Sequence, residues 1–319
     1  MGAVGLKIQN HLSPYENAEL AAHAEEHGLA SIWVSEFRWE PFVPLAVFAA
    51  ATERIRVGSA ISPVYARSAP VLAMTAANLA QIAPGRVALG LGTSTEEIVE
   101  EWHGRARQRP LTAAREYVEA VRQILAGGEV TYAGEVVSFE RFVLEPAALA
   151  APDTEIHLAA LGERMLAVAG AVADGALLNM TPFEHLPRIR EVVDAASVAA
   201  GRPAGSVRLG GDLSIAVAEG AERDRLRAAQ RRSIEAYAQM GPYARFFAEA
   251  GYDPAVIDDA MVDSIALIGD AGYVREGLQR AFDLGLDEAI AVPLWSEDAD
   301  VAAATRAVVE EIASVGAPA

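Results

Sequence analysis

Few side chains in this 319-residue chain are equipped for chemistry, and their types narrow what it can do. The absence of cysteine removes disulfides, thiolate metal sites and thiol nucleophiles together. No Gly-x-Ser-x-Gly turn is present, so nothing points to nucleophilic hydrolysis. The six histidines (His11, His23, His27, His103, His157 and His185) lack ligand spacing apart from His23 and His27. That i, i+4 pair has acidic neighbours on a first helix and reads as a solvated face, so no metal is expected. Glu36, His11 and Glu96 remain as acid–base candidates. Beside them Gly90-Leu91-Gly92-Thr93-Ser94 ends one apolar run and opens a helix. Its free N–H groups and hydroxyls would face an anion or a polar ring edge, although a tight turn uses the same residues. In Gly162-Glu163-Arg164 the arginine falls in the first turn of a helix, where the macrodipole disfavours a cation. A bound phosphate, or a salt bridge to Glu163 or another carboxylate, would each resolve that conflict. Sparse side-chain chemistry on a Gly-rich rim suggests an enzyme whose reactivity comes from a cofactor.

The elements that must carry these residues alternate regularly. Apolar runs at Val4–Gln9, Ser31–Val34, Arg56–Ile61, Val87–Leu91, Glu155–Ala159, Gly175–Asn179, Val207–Val217 and Glu288–Pro293 read as eight strands. Most lack polar alternation, as strands buried on both faces do. Helical periodicity separates them, and Ser13-Pro14-Tyr15-Glu16 and Thr181-Pro182-Phe183-Glu184 carry N-cap hydroxyl, Pro and capping-box Glu. Ser94-Thr95-Glu96-Glu97 has the capping box without the Pro. Eight strand–helix units imply a closed (β/α)8 TIM barrel over residues 1–319 as one domain. A doubly wound open sheet is the alternative, which the count of eight disfavours. Insertions are expected after strands 4 and 7: a hairpin at Glu129–Phe139 and helices in Glu219–Val262, both packing over the barrel as lids. Active sites of such barrels lie at the C-terminal ends of the strands.

With 26 Lys+Arg against 44 Asp+Glu the chain carries a formal charge of −18, which argues against a nucleic-acid footprint and against anionic membranes. At 52% hydrophobic and 22% charged, the composition is that of a folded chain able to bury a large core. The start shows neither signal-peptide nor myristoylation pattern, and no apolar run reaches the ~18 residues of a membrane span. The expectation is a soluble, cytoplasmic protein acting on a small molecule.

Several stretches resemble the bacterial luciferase-like superfamily, most closely its branch that uses the deazaflavin coenzyme F420. They are Val57 to Pro63 through Ser68-Ala69-Pro70, Ala83-Pro84-Gly85-Arg86, Gly90-Leu91-Gly92-Thr93-Ser94, Trp102-His103-Gly104, Ala159 to Leu166 and Ala173 to Asn179. The last two look like segments of methylenetetrahydromethanopterin reductase. The resemblance implies a usually dimeric TIM barrel with the cofactor ring in its mouth, backed by a non-prolyl cis peptide that would fall at Ala60–Ile61. The implied cofactor contacts are Glu36, Gly92, Thr93, Ser94, Ala160, Leu161, Gly162 and Asn179; Ser59, Ala60 and Ile61 around the cis bond and Arg164 at its helix start complete the expected cofactor-binding set. Some deazaflavin relatives carry Asp-His after strand 2. Here Glu36-Phe37 stands in its place, which leaves Glu36, His11 or Glu96 as proton donor. Phe37, Trp39, Tyr65 and Trp295 could wall a flat apolar substrate. The reading is hydride transfer between reduced F420 and an enone, imine or carbonyl. An FMN-dependent monooxygenase and a non-catalytic flavin-binding barrel are the alternatives. Glu36 is expected at the barrel mouth with a raised pKa, and the apolar helix around Pro41–Thr52 is expected to form a homodimer.

Overall fold

The computed structural model describes residues 2–8, 12–296 and 300–316, with side chains through residue 313. The elements begin with β1 (Ala3–Ile8), α1 (Pro14–Glu26), β2 (Ser31–Val34), α2 (Phe42–Ala51), β3 (Arg56–Ser59), β4 (Ser62–Pro63), α3 (Ala69–Ile82) and β5 (Val87–Gly92). A π-helical turn at Glu97–Trp102 precedes α4 (Pro110–Leu125), β6 (Glu129–Ala133), β7 (Ser138–Val143), β8 (Glu155–Ala159), α5 (Glu163–Val172) and β9 (Gly175–Leu178). There follow α6 (Leu186–Ala199), β10 (Arg208–Val217), α7 (Gly220–Ala238), α8 (Gly241–Glu249) and α9 (Asp259–Ile265). The series ends with β11 (Ala266–Gly269), α10 (Ala271–Asp283), β12 (Glu288–Pro293) and α11 (Val301–Gly316).

All eight strands read from the apolar runs are present and parallel. They close in the order β1-β2-β3-β5-β8-β9-β10-β12, and β12 returns to β1 from Ala3↔Glu288 to Leu6↔Ala291. This is a (β/α)8 barrel. The third strand stops at Ser59 rather than Ile61, because the chain bulges through a cis Ala60–Ile61 peptide and resumes as β4 beside β5. The cis bond stands where the resemblance implied. A further short strand, β11, pairs with the upper half of β10 beyond the end of β9.

Burial falls into two shells. Helix faces pack on the outside of the sheet, with Leu20, Phe48, Leu72, Val121, Ile189 and Leu278 nearly inaccessible. Inside, Trp33, Ala60, Ala88, Leu177 and Ile290 form a separate apolar plug. Below the plug, at the N-terminal end, lies a polar layer. Glu288 is fully buried, accepts from Ser31 Oγ and Trp33 Nε1, and is paired with Arg56. Arg56 and Arg208 also reach Glu155, which accepts from His157 Nε2 at 2.9 Å. Burial alone would push the Glu155 carboxyl up, but the His157 hydrogen bond and the Arg56 and Arg208 charges outweigh it and hold it at about 2.

Three local expectations need correction. The hairpin β6–β7 lies against α4 instead of over the barrel: Tyr132 donates to Glu119, and the turn N–H groups of Glu135, Val136 and Val137 donate to Glu116. Thr181 does not cap a helix, because its hydroxyl donates to Asn179 O and Glu184 is drawn to Tyr252 and Arg280; α6 starts only at Leu186. Ser94 has a left-handed backbone (φ 53°), so Thr95 rather than Ser94 accepts the first free N–H, from Ile98. Ser13 does form its expected capping box with Glu16. Among the described residues no helix is long and apolar enough to cross a membrane.

Candidate active site

The C-terminal strand ends bring most of the singled-out residues around one mouth. Glu36 follows β2, which is pinned to the bulge by Ser35 Oγ donating to Ala60 O and by Glu36 N donating to Ile61 O. Its side chain is only 9% exposed, yet it is not free: Arg67 pairs with it, and Ser62 Oγ donates to it at 2.7 Å. Arg67 in turn bridges to Glu40 and lies over the Phe42 ring. The carboxyl expected at the mouth as a proton donor is thus held in a part-buried ion pair that ties the loop after β2 to the loop after β4. Ser59 is also spent on structure. It is fully buried, donating to Gly90 O and accepting from Gly90 N, which leaves no hydroxyl for a cofactor.

The opposite wall is built from small side chains. A side chain at Gly92 would press on Ile61 and Ala159 at 3.0–3.1 Å, so glycine there keeps the mouth wide between Ala60, Ile61 and Ala160. Thr93 and Ser94 are held by Arg107, whose Nε donates to both carbonyls and whose Nη2 donates to Thr93 Oγ1. Glu96 is exposed. At β8 the chain turns through Leu161 and Gly162 (φ 70°) into α5, whose N-cap offers no side-chain hydrogen bond. Arg164 stands exposed in that first turn. Glu163, its simplest partner, is taken by Arg188, and among the described residues no hydrogen bond or ion pair holds Arg164. The salt bridge that would have explained Arg164 is absent among the described residues.

The floor of the mouth was not anticipated. Lys7 of β1 and Asp212 of β10, the two strands that flank β12, meet as an ion pair, 12% and 13% exposed. Lys7 is in register with Trp33 and Asp212 with Ile290, both members of the interior plug, so the pair lies inside the barrel. Burial pushes the Asp212 carboxyl above its ordinary range and Lys7 only partly opposes it. Over this floor Asn179 Nδ2 donates to the hydroxyl of Tyr243 at 2.9 Å, and the Tyr237 ring stands edge-on to Tyr243. Tyr243 comes from α8, so the segment between β10 and β11 does reach the mouth. Burial raises the Tyr243 phenol, which stays protonated and can donate.

At the rim, Phe37 contacts Trp102 and Trp39, and Arg38 lies over Phe37 and Trp102. Tyr65 is anchored by its hydroxyl, which donates to Gln108 O. Trp295 is half-buried just beyond β12. His11 lies outside the described residues.

A model of the luciferase-like monooxygenase family matches residues 4–288. The chain is a member of that family. This luciferase-like chain is 26% identical over 297 residues to a 5,10-methylenetetrahydromethanopterin reductase of Methanolobus tindarius, covering 86% of this chain and 89% of the relative. It is 34% identical over 191 residues to a putative coenzyme F420-dependent oxidoreductase of Mycobacterium tuberculosis, covering 55% of this chain and 53% of that one. The solved coenzyme F420-dependent tetrahydromethanopterin reductase of Methanopyrus kandleri superposes with a TM-score of 0.81 at 19% identity, over 98% of this chain and 97% of its own. In the luciferase-like mouth, the small-walled gap at Gly92 suits a flat ring, and the unpartnered Arg164 on an open helix N-terminus suits a phosphate-bearing tail. The residues present fit a flavin-type cofactor.

Proposed function

We propose that this luciferase-like chain is an F420-dependent oxidoreductase transferring a hydride between the deazaflavin and a small organic acceptor: an enone, imine or carbonyl. The observation that carries it is the pairing of an uncompensated cation at the α5 N-terminus with a small-walled mouth over a buried Lys–Asp pair. The names of the two relatives support it: one is a reductase and the other a putative coenzyme F420-dependent oxidoreductase. When bound, the deazaflavin supplies a two-electron hydride. The chain supplies the rest. Arg164 and the free N–H groups of Glu163 and Arg164 hold the anionic tail. Ala60, Ile61, Gly92, Thr93, Ser94, Ala160, Leu161 and Asn179 line the ring, and Phe37, Trp39, Tyr65 and Trp295, with Trp102, wall the acceptor. Lys7 Nζ holds the proton that a reduced carbonyl or imine must take up, and Asp212 keeps that ammonium at the floor. Glu36 acts as a positioning residue through Arg67.

The test is anaerobic fluorescence titration with F420 and with FMN, followed by single-turnover oxidation of reduced F420 across acceptors of the three classes. Saturable F420 binding with acceptor-dependent oxidation is expected. Tight FMN binding with oxygen consumption and no F420 binding would instead establish the monooxygenase reading that the family's description favours. Binding without turnover would establish a non-catalytic barrel. We place the enzyme in the cytoplasm as a homodimer, joined through α2 and α3, where Val43, Val71 and Met74 are 66%, 40% and 38% exposed. A monomer by light scattering at micromolar concentration would refute that assembly.

A further inference from the structure

Outside the mouth, one cluster of ligating side chains is left without a role. His23 and His27 lie in the last turn and at the C-cap of α1, and α11 brings Glu310 against them. One ligand atom from each of the three lies within 4.8 Å of the others. We propose that His23, His27 and Glu310 bind a divalent first-row transition ion of the zinc class at the seam between α1 and α11.

Four observations converge on this. The Nε2 of His23 is buried and has no hydrogen-bond partner among the described residues, an orphaned polar atom that an ion at this seam would satisfy. Glu310 Oε1 stands 3.6 Å from it. That is too long for a hydrogen bond and near the ~3.4 Å that separates two ligands on a tetrahedral ion with bonds of about 2.0–2.1 Å. The ring of His27 is already oriented. Its Nδ1 lies 2.9 Å from the carbonyl of His23, and since a carbonyl only accepts, Nδ1 carries a proton, which in the neutral ring leaves the lone pair on Nε2. A backbone carbonyl holding the other ring nitrogen is the usual support of a metal-bound histidine. The two rings are adjacent, with centroids 4.1 Å apart, as i, i+4 spacing on one helix requires.

The field also suits a cation. The carbonyl end of α1 is the negative pole of the helix, and Glu26 adds a charge of the same sign. Arg306, one turn before Glu310 on α11, is the opposing cation facing the cluster. Two imidazoles and one carboxylate leave a coordination position open to water on the side of Glu310, which is 60% exposed. Because α1 descends from the mouth, the site lies at the far end of the barrel, where an ion would clamp the last helix to the first.

The experiment uses the full chain without a histidine tag, stripped with chelator and titrated with Zn²⁺ by calorimetry. About one equivalent per chain should bind with a Kd below about 10 µM, with a Tm that rises on Zn²⁺ addition and not on Mg²⁺ addition. His27→Gln and Glu310→Gln, both at partly or fully exposed positions, should keep the metal-free Tm of the parent and each weaken Zn²⁺ binding at least about tenfold. Absence of saturable binding below about 100 µM, or binding undiminished in either variant, overturns the proposal.

Discussion

At the N-terminal end of the barrel, Glu155 and Glu288 are each met by arginine, and Arg56 and Arg208 have no charge left over. At the C-terminal end, Arg164 meets no carboxylate among the described residues, and Asp212 is only partly answered by Lys7. Both ends belong to the same strands and rise from the same apolar plug. The difference lies in what each end must still accept. A closed set of charges can only hold the barrel together. An open set keeps binding and proton-holding capacity in reserve, which is why the active site is assigned to the end with less internal compensation.

The largest effect should come from breaking the floor of the open end. Lys7→Met leaves Asp212 buried and unpaired, and should cost about 3–5 kcal/mol of stability together with a roughly hundredfold loss of turnover. The double variant Lys7→Met/Asp212→Leu should regain most of that stability in chemical denaturation while turnover stays low. Recovery of turnover in the double variant would reduce the pair to a packing feature.

A pH titration sharpens the contrast from the closed end. The folded-state carboxyl of Glu155 is depressed to about 2 from 4.5, so its contribution is fully present above the unfolded value and is lost as pH falls from about 4.5 toward 2. Partial exposure limits this to about 2 kcal/mol. Thermal melts should show the loss in the parent and a smaller one in Glu155→Gln; parallel pH profiles would contradict the assignment. The smallest effect belongs to Arg164→Ala. Cofactor affinity should fall about tenfold, or roughly 1.4 kcal/mol, with stability unchanged or higher by a few tenths, since a cation leaves a helix N-terminus. A stability loss with unchanged affinity would place Arg164 in the scaffold.

The barrel was readable because each of its strands is an apolar run bounded by turn residues. The short strand β11 was not, since Ala266–Gly269 follows α9 without a breaker and merges into its apolar pattern. The site was readable only where its residues follow a strand end locally, as Gly92, Asn179 and Glu36 do. Lys7 and Asp212 are 205 residues apart, and their contact exists only once the barrel closes. The engagement of Glu36 by Arg67 is likewise a matter of two loops meeting, which no spacing records. For Arg164 the sequence left a phosphate or a carboxylate partner open, and that Arg188 takes Glu163 is visible only in the fold.

Closure of the barrel also has a temporal side. The first strand is hydrogen-bonded on one flank by β2, made almost at once, and on the other by β12, beginning at Glu288. About nine-tenths of the chain must therefore leave the ribosome before that second flank can be covered. Until then the nascent protein is an open parallel sheet with two bare edges, a form prone to pairing with its neighbours. Yield in a cell is therefore set in part by how well those edges are shielded during synthesis.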